Sequence, residues 1–296
     1  MSAPAAGPAE AGSVGVGSAG VGGSALGAAL VRAMESRRGD RLFHDPYAAL
    51  FLAAAPGLAD PSGRGAVAVS GLSRAGASFF QRVVLRTRFF DDVLLAAAGR
   101  GLHQIVLLAA GLDMRAYRLD WPPGVCVYEL DLPGVLRYKR RVLRARAPRP
   151  RCALHEVSAD LREDWPDALL AAGFDPTRPS AWLLEGLLIY LSADEVERVL
   201  GALGALAAPG SITAFEDDAE SGPAGGSAVE DLRAQARRLP AAADYAQLWQ
   251  GGMTDAPAWL AGHGWRVESH AQAAVAARYG RGGGAPAGGY LVATRS

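Results

Sequence analysis

The stretch Gln104-Ile-Val-Leu-Leu-Ala-Ala-Gly-Leu-Asp-Met-Arg115 decides the fold class. Residues 105–109, after Gln104, are all apolar, as in a strand covered on both faces of a sheet. Gly111 then permits a sharp turn and a close approach of backbone to a ligand. Asp113 is placed to cap the helix that follows. A short way on, Val125-Cys-Val-Tyr-Glu-Leu-Asp131 is a second apolar run ending in acids. Strand, glycine turn, helix and a strand ending in an acid together make a nucleoside-binding βαβ unit.

A dinucleotide site wants G-x-G-x-x-G, with the pyrophosphate on the helix N-terminus. Here the loop reads Ala109-Ala110-Gly111-Leu112-Asp113-Met114, with one of the three glycines. Asp113 sets a negative charge where two phosphates would have to sit, and like charges repel. A ligand with adenosine but no phosphate avoids that repulsion. S-adenosylmethionine (SAM), with a sulfonium cation and an amino-acid end, is such a ligand.

Outward from this unit the chain alternates strand and helix. Strands are expected at 104–109, 125–130, 154–159, 180–185 and 211–216, with helices at 114–118, 133–146, 166–172 and 193–207. That alternation means a parallel sheet with crossovers. Before it, helical spacing covers 25–38, 46–55 and a long segment, 78–99, that carries Arg82, Arg86 and Arg88. After it, Gly264–Glu268 and Tyr290–Thr294 read as two short strands forming a hairpin-like edge. The segment 217–258, polar and Gly-interrupted and then helical around 228–238, reads as an insertion over the sheet, a lid. The first 24 residues, rich in Ala, Gly, Ser, Pro and Val, read as a disordered tail.

Ligands of open α/β sheets bind at the carboxyl ends of the strands. Strands two to five each end in an acid: Glu129 and Asp131, then Asp160, then Glu185, then Glu216-Asp217-Asp218. Glu129 and Asp131, two apart, share a face if extended. Buried acids are costly unless something satisfies them. A ribose diol, an adenine amino group and a methionine ammonium or sulfonium are suitable partners.

Composition narrows the rest. The chain has 296 residues, half of them hydrophobic, enough for one large α/β domain. With a formal net charge of zero and no basic run beyond an Arg-rich stretch at 137–151, nucleic acid is not an expected partner. Two cysteines, Cys126 and Cys152, make no disulfide framework and read as structural thiols. No Cys/His spacing suggests a metal. No signal segment or membrane span is expected, and a reducing cytoplasm is the expected compartment.

Five motifs then occur in order: Phe43-His-Asp-Pro-Tyr47, Ala109-Ala-Gly-Leu-Asp-Met-Arg-Ala-Tyr-Arg-Leu119, Tyr128-Glu-Leu-Asp-Leu-Pro133 with Lys139, Asp160-Leu-Arg-Glu-Asp-Trp165, and Leu184-Glu-Gly-Leu-Leu-Ile-Tyr-Leu191. Over roughly residues 25–296 the chain resembles the actinobacterial SAM-dependent methyltransferases related to leucine carboxyl methyltransferase. The resemblance implies the class I methyltransferase fold, a Rossmann-like seven-stranded α/β sheet. It also implies an N-terminal helical extension (25–100), a cofactor core (101–216), the lid (217–258) and C-terminal strands (259–296). It implies roles as well. Gly111 would lie beneath the cofactor, and Asp131 would hold the ribose with Glu129 as a close second. Asp160 and Leu161 would contact adenine, and Glu185 would lie near the methionine. An arginine of Arg86-Thr-Arg88, Arg86 slightly preferred, would pair the cofactor carboxylate. Ala109 departs from the pattern, since many relatives have Gly there; Ala fits if its φ stays negative.

Methyl transfer from a sulfonium is an in-line displacement, in which the protein supplies position and a dry site. A carboxylate acceptor needs no general base, whereas a hydroxyl benefits from one. Tyr190, just after the fourth strand, is the candidate for orienting a substrate oxygen. Trp182, Trp249 and Trp259 are candidates for an apolar lining, against ordinary aromatic packing. The expected activity is O-methylation of a small molecule, at a carboxyl group by family analogy, with a peptide C-terminus as second choice. Two other readings stay open: an NAD(P)-dependent oxidoreductase and a non-catalytic SAM-binding regulator. Oligomeric state is not legible.

Overall fold

The computed structural model describes residues 21–55, 74–217, 250–251, 253, 255–282 and 288–296. The expected lid falls mainly outside them, as do most of the expected tail and Trp249. The N-terminal part supplies α1 (Val21–Ser36), α2 (Ala48–Ala54) and the long α3 (Arg74–Gly99). The sheet strands are β1 (Gln104–Leu108), β2 (Cys126–Asp131), β3 (Ala153–Ser158), β4 (Ser180–Leu184), β5 (Ile212–Asp217), β6 (Trp265–Ala271) and β7 (Gly289–Arg295). Between them lie α4 (Arg115–Arg118), α5 (Pro133–Arg144), α6 (Trp165–Ala171), α7 (Ala193–Leu206), α8 (Ala256–Gly262) and α9 (Gln272–Arg278).

The strand order is β3-β2-β1-β4-β5-β7-β6. The chain winds from β1 out to β3, then returns to β4 on the other side of β1. The β1/β4 boundary is therefore the topological switch point, where such sheets open a crevice at their carboxyl edge. The first five strands are parallel; β7 is antiparallel to both β5 and β6. The expected C-terminal pair exists, but only β6 forms the edge, because β7 is inserted beside β5. Two short helices, α8 and α9, were not legible in this region. Each is seven residues long, too short for a clear apolar period.

Alternation along the strands assigns each face. Ile105, Leu107, Val127, Ala181, Leu183, Ile212, Ala214 and Tyr290 point to the core beneath α1–α5 and α9. Val106, Leu108, Tyr128, Leu130, Trp182, Leu184, Phe215 and Leu291 point to the core beneath α6–α8. All five residues of β1 and of β4 are buried, which explains their uninterrupted apolar runs. Trp182 is fully buried there, with Trp165 and Phe174 edge-on at 6.2 and 5.3 Å, so it fills the core rather than lining a pocket. By the same two-residue period, Glu129, Asp131, Glu185 and Glu216 all belong to the α3 side of the sheet.

The N-terminal helices are fastened to the turn after β1. The Asp45 carboxylate accepts from the backbone N–H groups of Tyr47 and Ala48, starting α2, and from the Arg32 side chain at 2.9 Å. Arg32 in turn donates to the Leu112 carbonyl at 2.8 Å. This accounts for the aspartate of the 43–47 motif. At the other end, α7 begins in a capping box between Ser192 and Glu195, directly after the fourth-strand loop.

The turn itself corrects one expectation. Ala109 has φ +52°, in the left-handed region, so the negative φ anticipated for alanine does not hold. Its neighbour Gly111, at φ +55°, adopts the same region without a Cβ penalty. The turn keeps its shape at Ala109 because the flanking β1 and the Ala110 N–H, which donates to the Leu130 carbonyl at 2.9 Å, hold it. Ala109→Gly is therefore expected to raise stability by about 0.5–1 kcal/mol, relief of strain outweighing the entropy of a more flexible unfolded chain. Urea denaturation of the two proteins measures it, and a lower midpoint for the variant would refute the strain.

Candidate cofactor site at the carboxyl edge of the sheet

The site grows from three points on that edge. At the end of β2, Asp131 is buried, and its carboxylate accepts from the backbone N–H of Gly111 at 2.6 Å and of Leu132 at 2.7 Å. Burial raises its pKa, and the two backbone donors offset this only in part. The glycine turn and the second strand are thus tied together by one carboxylate. An oxygen pair so fixed has lone pairs left for a diol.

At the end of β4, Glu185 meets two guanidinium groups. Arg86 of α3 donates to it at 2.8 Å, and Arg115, at the start of α4, approaches at 2.7 Å. Burial pushes the Glu185 pKa up, but Arg115 and Arg86 outweigh it and hold the carboxyl below its ordinary value. Arg86 also donates to Glu216 at the end of β5, at 2.6 Å. Glu216 further accepts from the backbone N–H of Gly186 at 2.8 Å. Gly186 has φ +64°, and a Cβ there would meet the Arg86 guanidinium at 3.3 Å, so this position suits glycine twice over.

Arg115 extends the network. It is 2% exposed, donates to Asp91 of α3 at 2.7 Å, and pairs with Asp113 of the glycine turn. Asp91 also takes a two-pronged contact from Arg118, both distances 2.6 Å. Asp113 does act at the start of α4, accepting the Arg115 N–H at 2.6 Å. Its charge is therefore satisfied from within: burial disfavours it, but Arg115, Arg118 and Lys139 hold it ionised. In this connected set, Arg86, Arg115 and Arg118 face Asp91, Asp113, Glu185 and Glu216, three cations against four carboxylates.

The other expected residues are placed differently. Glu129 has no exposure; it pairs with Lys139 of α5 at 2.6 Å, and Lys139 also donates to the Asp113 carbonyl. Glu129 thus props the glycine turn from below. Asp160 and Leu161 lie just beyond β3, partly exposed, and Asp160 pairs with Arg162 at 2.5 Å, which lowers its pKa. Arg88, the alternative to Arg86, points elsewhere: it pairs with Asp92 at 3.1 Å and donates to the Leu42 carbonyl. Tyr190 ends a short 3-10 turn, Leu188–Tyr190, is partly buried, and accepts through its carbonyl from the Gln250 side chain at 3.1 Å. Trp259 stacks on His263 at 3.7 Å, away from the edge. The cysteines are free, with burial raising both pKa values, consistent with structural thiols.

Sequence reasoning missed Arg115, Arg118 and Asp91. The signal for Arg115 was its spacing two residues after Asp113 in the glycine turn. For Asp91 there was none beyond an acid on the apolar side of α3. Among the described residues, no group of His, Cys, Asp and Glu is arranged to hold a metal.

Burial pushes the Glu129 pKa up to about 7, more than the attraction of Lys139 pulls it down. The folded pKa thus exceeds the unfolded value, so this carboxyl favours the fold fully below about pH 4.5 and loses that contribution as pH rises through 7. Glu129→Gln is expected to remove a fall in stability on the order of 3 kcal/mol between pH 4.5 and 8. Chemical denaturation at the two pH values measures it, and an unchanged slope in the variant would exclude the mechanism.

Comparison with known proteins gives the family. The profile of the family "Leucine carboxyl methyltransferase" matches residues 25–204. A Parafrankia protein named as a SAM-dependent methyltransferase is 49% identical over 243 residues, covering 80% of this chain and 74% of its own. A Frankia alni protein of the same name is 44% identical, covering 90% and 91%. Among solved structures, a DUF574-family protein of Streptomyces avermitilis superposes with a TM-score of 0.55 at 17% identity, covering 91% of this chain and 97% of that one, a likeness of fold. The turn, the acidic strand ends and these relatives together make the chain a member of the leucine carboxyl methyltransferase family and a SAM-dependent methyltransferase.

Proposed function

We propose that the protein methylates an oxygen of a small molecule, at a carboxyl group, with the cofactor held by Arg86, Gly111, Asp131, Asp160, Leu161 and Glu185. The observation that carries this reading is the arrangement at the carboxyl edge. Asp131 is locked to the Gly111 N–H, and one strand past the switch point Glu185 is bracketed by Arg86 and Arg115. In this reading Asp131 takes the ribose diol and Gly111 lets the cofactor lie against the turn. Asp160 with the Leu161 N–H takes the adenine edge. Arg86 and Glu185 take the two charged groups of the methionine end, exchanging part of their mutual pairing for contacts with it. Glu129 supports the site through Lys139 rather than touching the cofactor.

When bound, SAM supplies an electrophilic methyl group. The chain's own task is to hold the acceptor in line and dry. The charged groups at the edge are committed to one another: Glu185 is held ionised by two arginines, and Glu216 accepts from Arg86 and from the Gly186 N–H. Glu185 and Glu216, so engaged, are not free to take a proton, which suits an acceptor that arrives already ionised, as a carboxylate does near neutral pH. Tyr190, at the end of the loop after β4, orients the acceptor oxygen. The NAD(P) reading is disfavoured by the single glycine of the turn and by the family. The regulator reading is disfavoured by the family too. No described helix is long and apolar enough to cross a membrane. A cytoplasmic location and a soluble small-molecule partner belong to the same proposal.

Calorimetric titration with S-adenosylhomocysteine, NADH serving as control, tests the cofactor assignment. Micromolar binding of the former alone is expected. Asp131→Ala and Asp160→Ala should each weaken it about tenfold or more, since each deletes a charge-assisted hydrogen bond. Wild-type affinity in both variants would remove the residue assignment. A panel of carboxylic acids with labelled SAM tests the acceptor class.

A further inference from the structure

One buried polar group at the carboxyl edge has no role in the cofactor site. Because β7 runs antiparallel to β5, its start lies at that edge, and the register sets Tyr290 directly opposite Glu216. The Tyr290 ring stacks on Phe89 at 4.7 Å and meets Phe90 edge-on at 5.5 Å, so both α3 aromatics hold it still. The residue is fully buried, and its hydroxyl has no hydrogen-bond partner among the described residues. Native proteins rarely leave a buried hydroxyl unsatisfied, because it forfeits its bonds to water for nothing. The Arg86–Glu216 pair beside it keeps side-chain exposures of 16% and 11%. The hydroxyl therefore lies just beneath the surface at which ligands arrive.

Strand spacing separates it from the cofactor. In the order β2-β1-β4-β5-β7, Tyr290 stands four strands from Asp131. At about 4.8 Å per strand that is about 19 Å. A cofactor with its ribose at Asp131 on β2 and its methionine end at Glu185 on β4 and at Arg86, which reaches across to β5, stops short of β7. What lies beyond its methyl is the acceptor.

We propose that the Tyr290 hydroxyl is an acceptor-binding group, donating a hydrogen bond to the carboxylate oxygen that is not methylated. This rests on the carboxyl reading above. The other oxygen then forms the new C–O bond as the C–S bond breaks toward sulfur, and no proton changes hands. Tyr290 is a donor and not a base: burial, and next the charge of Glu216, push its pKa well above the ordinary phenol value.

Tyr290→Phe tests this with decanoate and phenylacetate as probes at saturating SAM, the formed S-adenosylhomocysteine being quantified. The expected result is a KM for the turned-over acid raised tenfold or more, S-adenosylhomocysteine affinity within twofold of wild type, and a thermal midpoint no lower. Unchanged KM and kcat would overturn the proposal. So would tenfold weaker S-adenosylhomocysteine binding, which would put the hydroxyl on the cofactor, or a lowered midpoint, which would make it structural. If the wild type binds S-adenosylhomocysteine but methylates neither acid, the carboxyl reading falls and the Tyr290 role that rests on it falls with it, whereas turnover of an acid with unchanged kinetics in Tyr290→Phe overturns the Tyr290 role alone.

Discussion

Charge taken out of water must be answered by charge, and the carboxyl edge of this sheet is organised by that demand. Arg115, almost wholly buried, answers Asp91 on α3, Asp113 in the glycine turn and Glu185 at the end of β4. Arg86 adds β5 through Glu216. Two side chains thereby join one helix, one turn and two strands. Burying ions costs several kcal/mol each, and the attraction repays it only where geometry is good. The set is consequently all-or-nothing: deleting any member strands a partner in a dry environment. The same lattice holds the acids of the candidate site, so that site and its scaffold are one network.

The strands were legible because period-two patterning is local. β1 and β4 each read as an unbroken apolar run, since both faces are covered, and every strand lay within a few residues of expectation. The acids were legible because a carboxyl group at the end of an apolar run has little else to do. Their partners were not. Arg115 and Asp91 are 24 residues apart, and Arg86 and Glu216 are 130 apart. No local pattern connects them; only the winding order does. Glu129 and Asp131 illustrate the limit well. Both sit on one face of β2, yet one faces Lys139 in the interior and the other the glycine turn, a difference set by where α5 packs.

The backbone at Ala109 was misjudged for a related reason. A turn's φ depends on what holds its two ends, here β1 and the bond from Ala110 to Leu130, and not on the residue alone. The N-terminal helices repeat the lesson. The Asp45 of the 43–47 motif starts α2 and grips Arg32, which reaches the Leu112 carbonyl. A segment that reads as an independent cap is in fact bolted onto the turn where the cofactor fold begins.

The position of β7 has a consequence in time as well as space. The seventh strand in chain order is interior to the sheet, with β5 on one side and β6 on the other. Until it emerges from the ribosome, β5 presents an open edge and β6 has no neighbour to pair with. Maturation of the sheet is thus deferred until β7 has been synthesised, and a nascent chain exposes that edge for the whole interval. This strand works as the clasp of the sheet, so a protein stalled or clipped just before it would be a substrate for chaperones and proteases rather than a shortened enzyme.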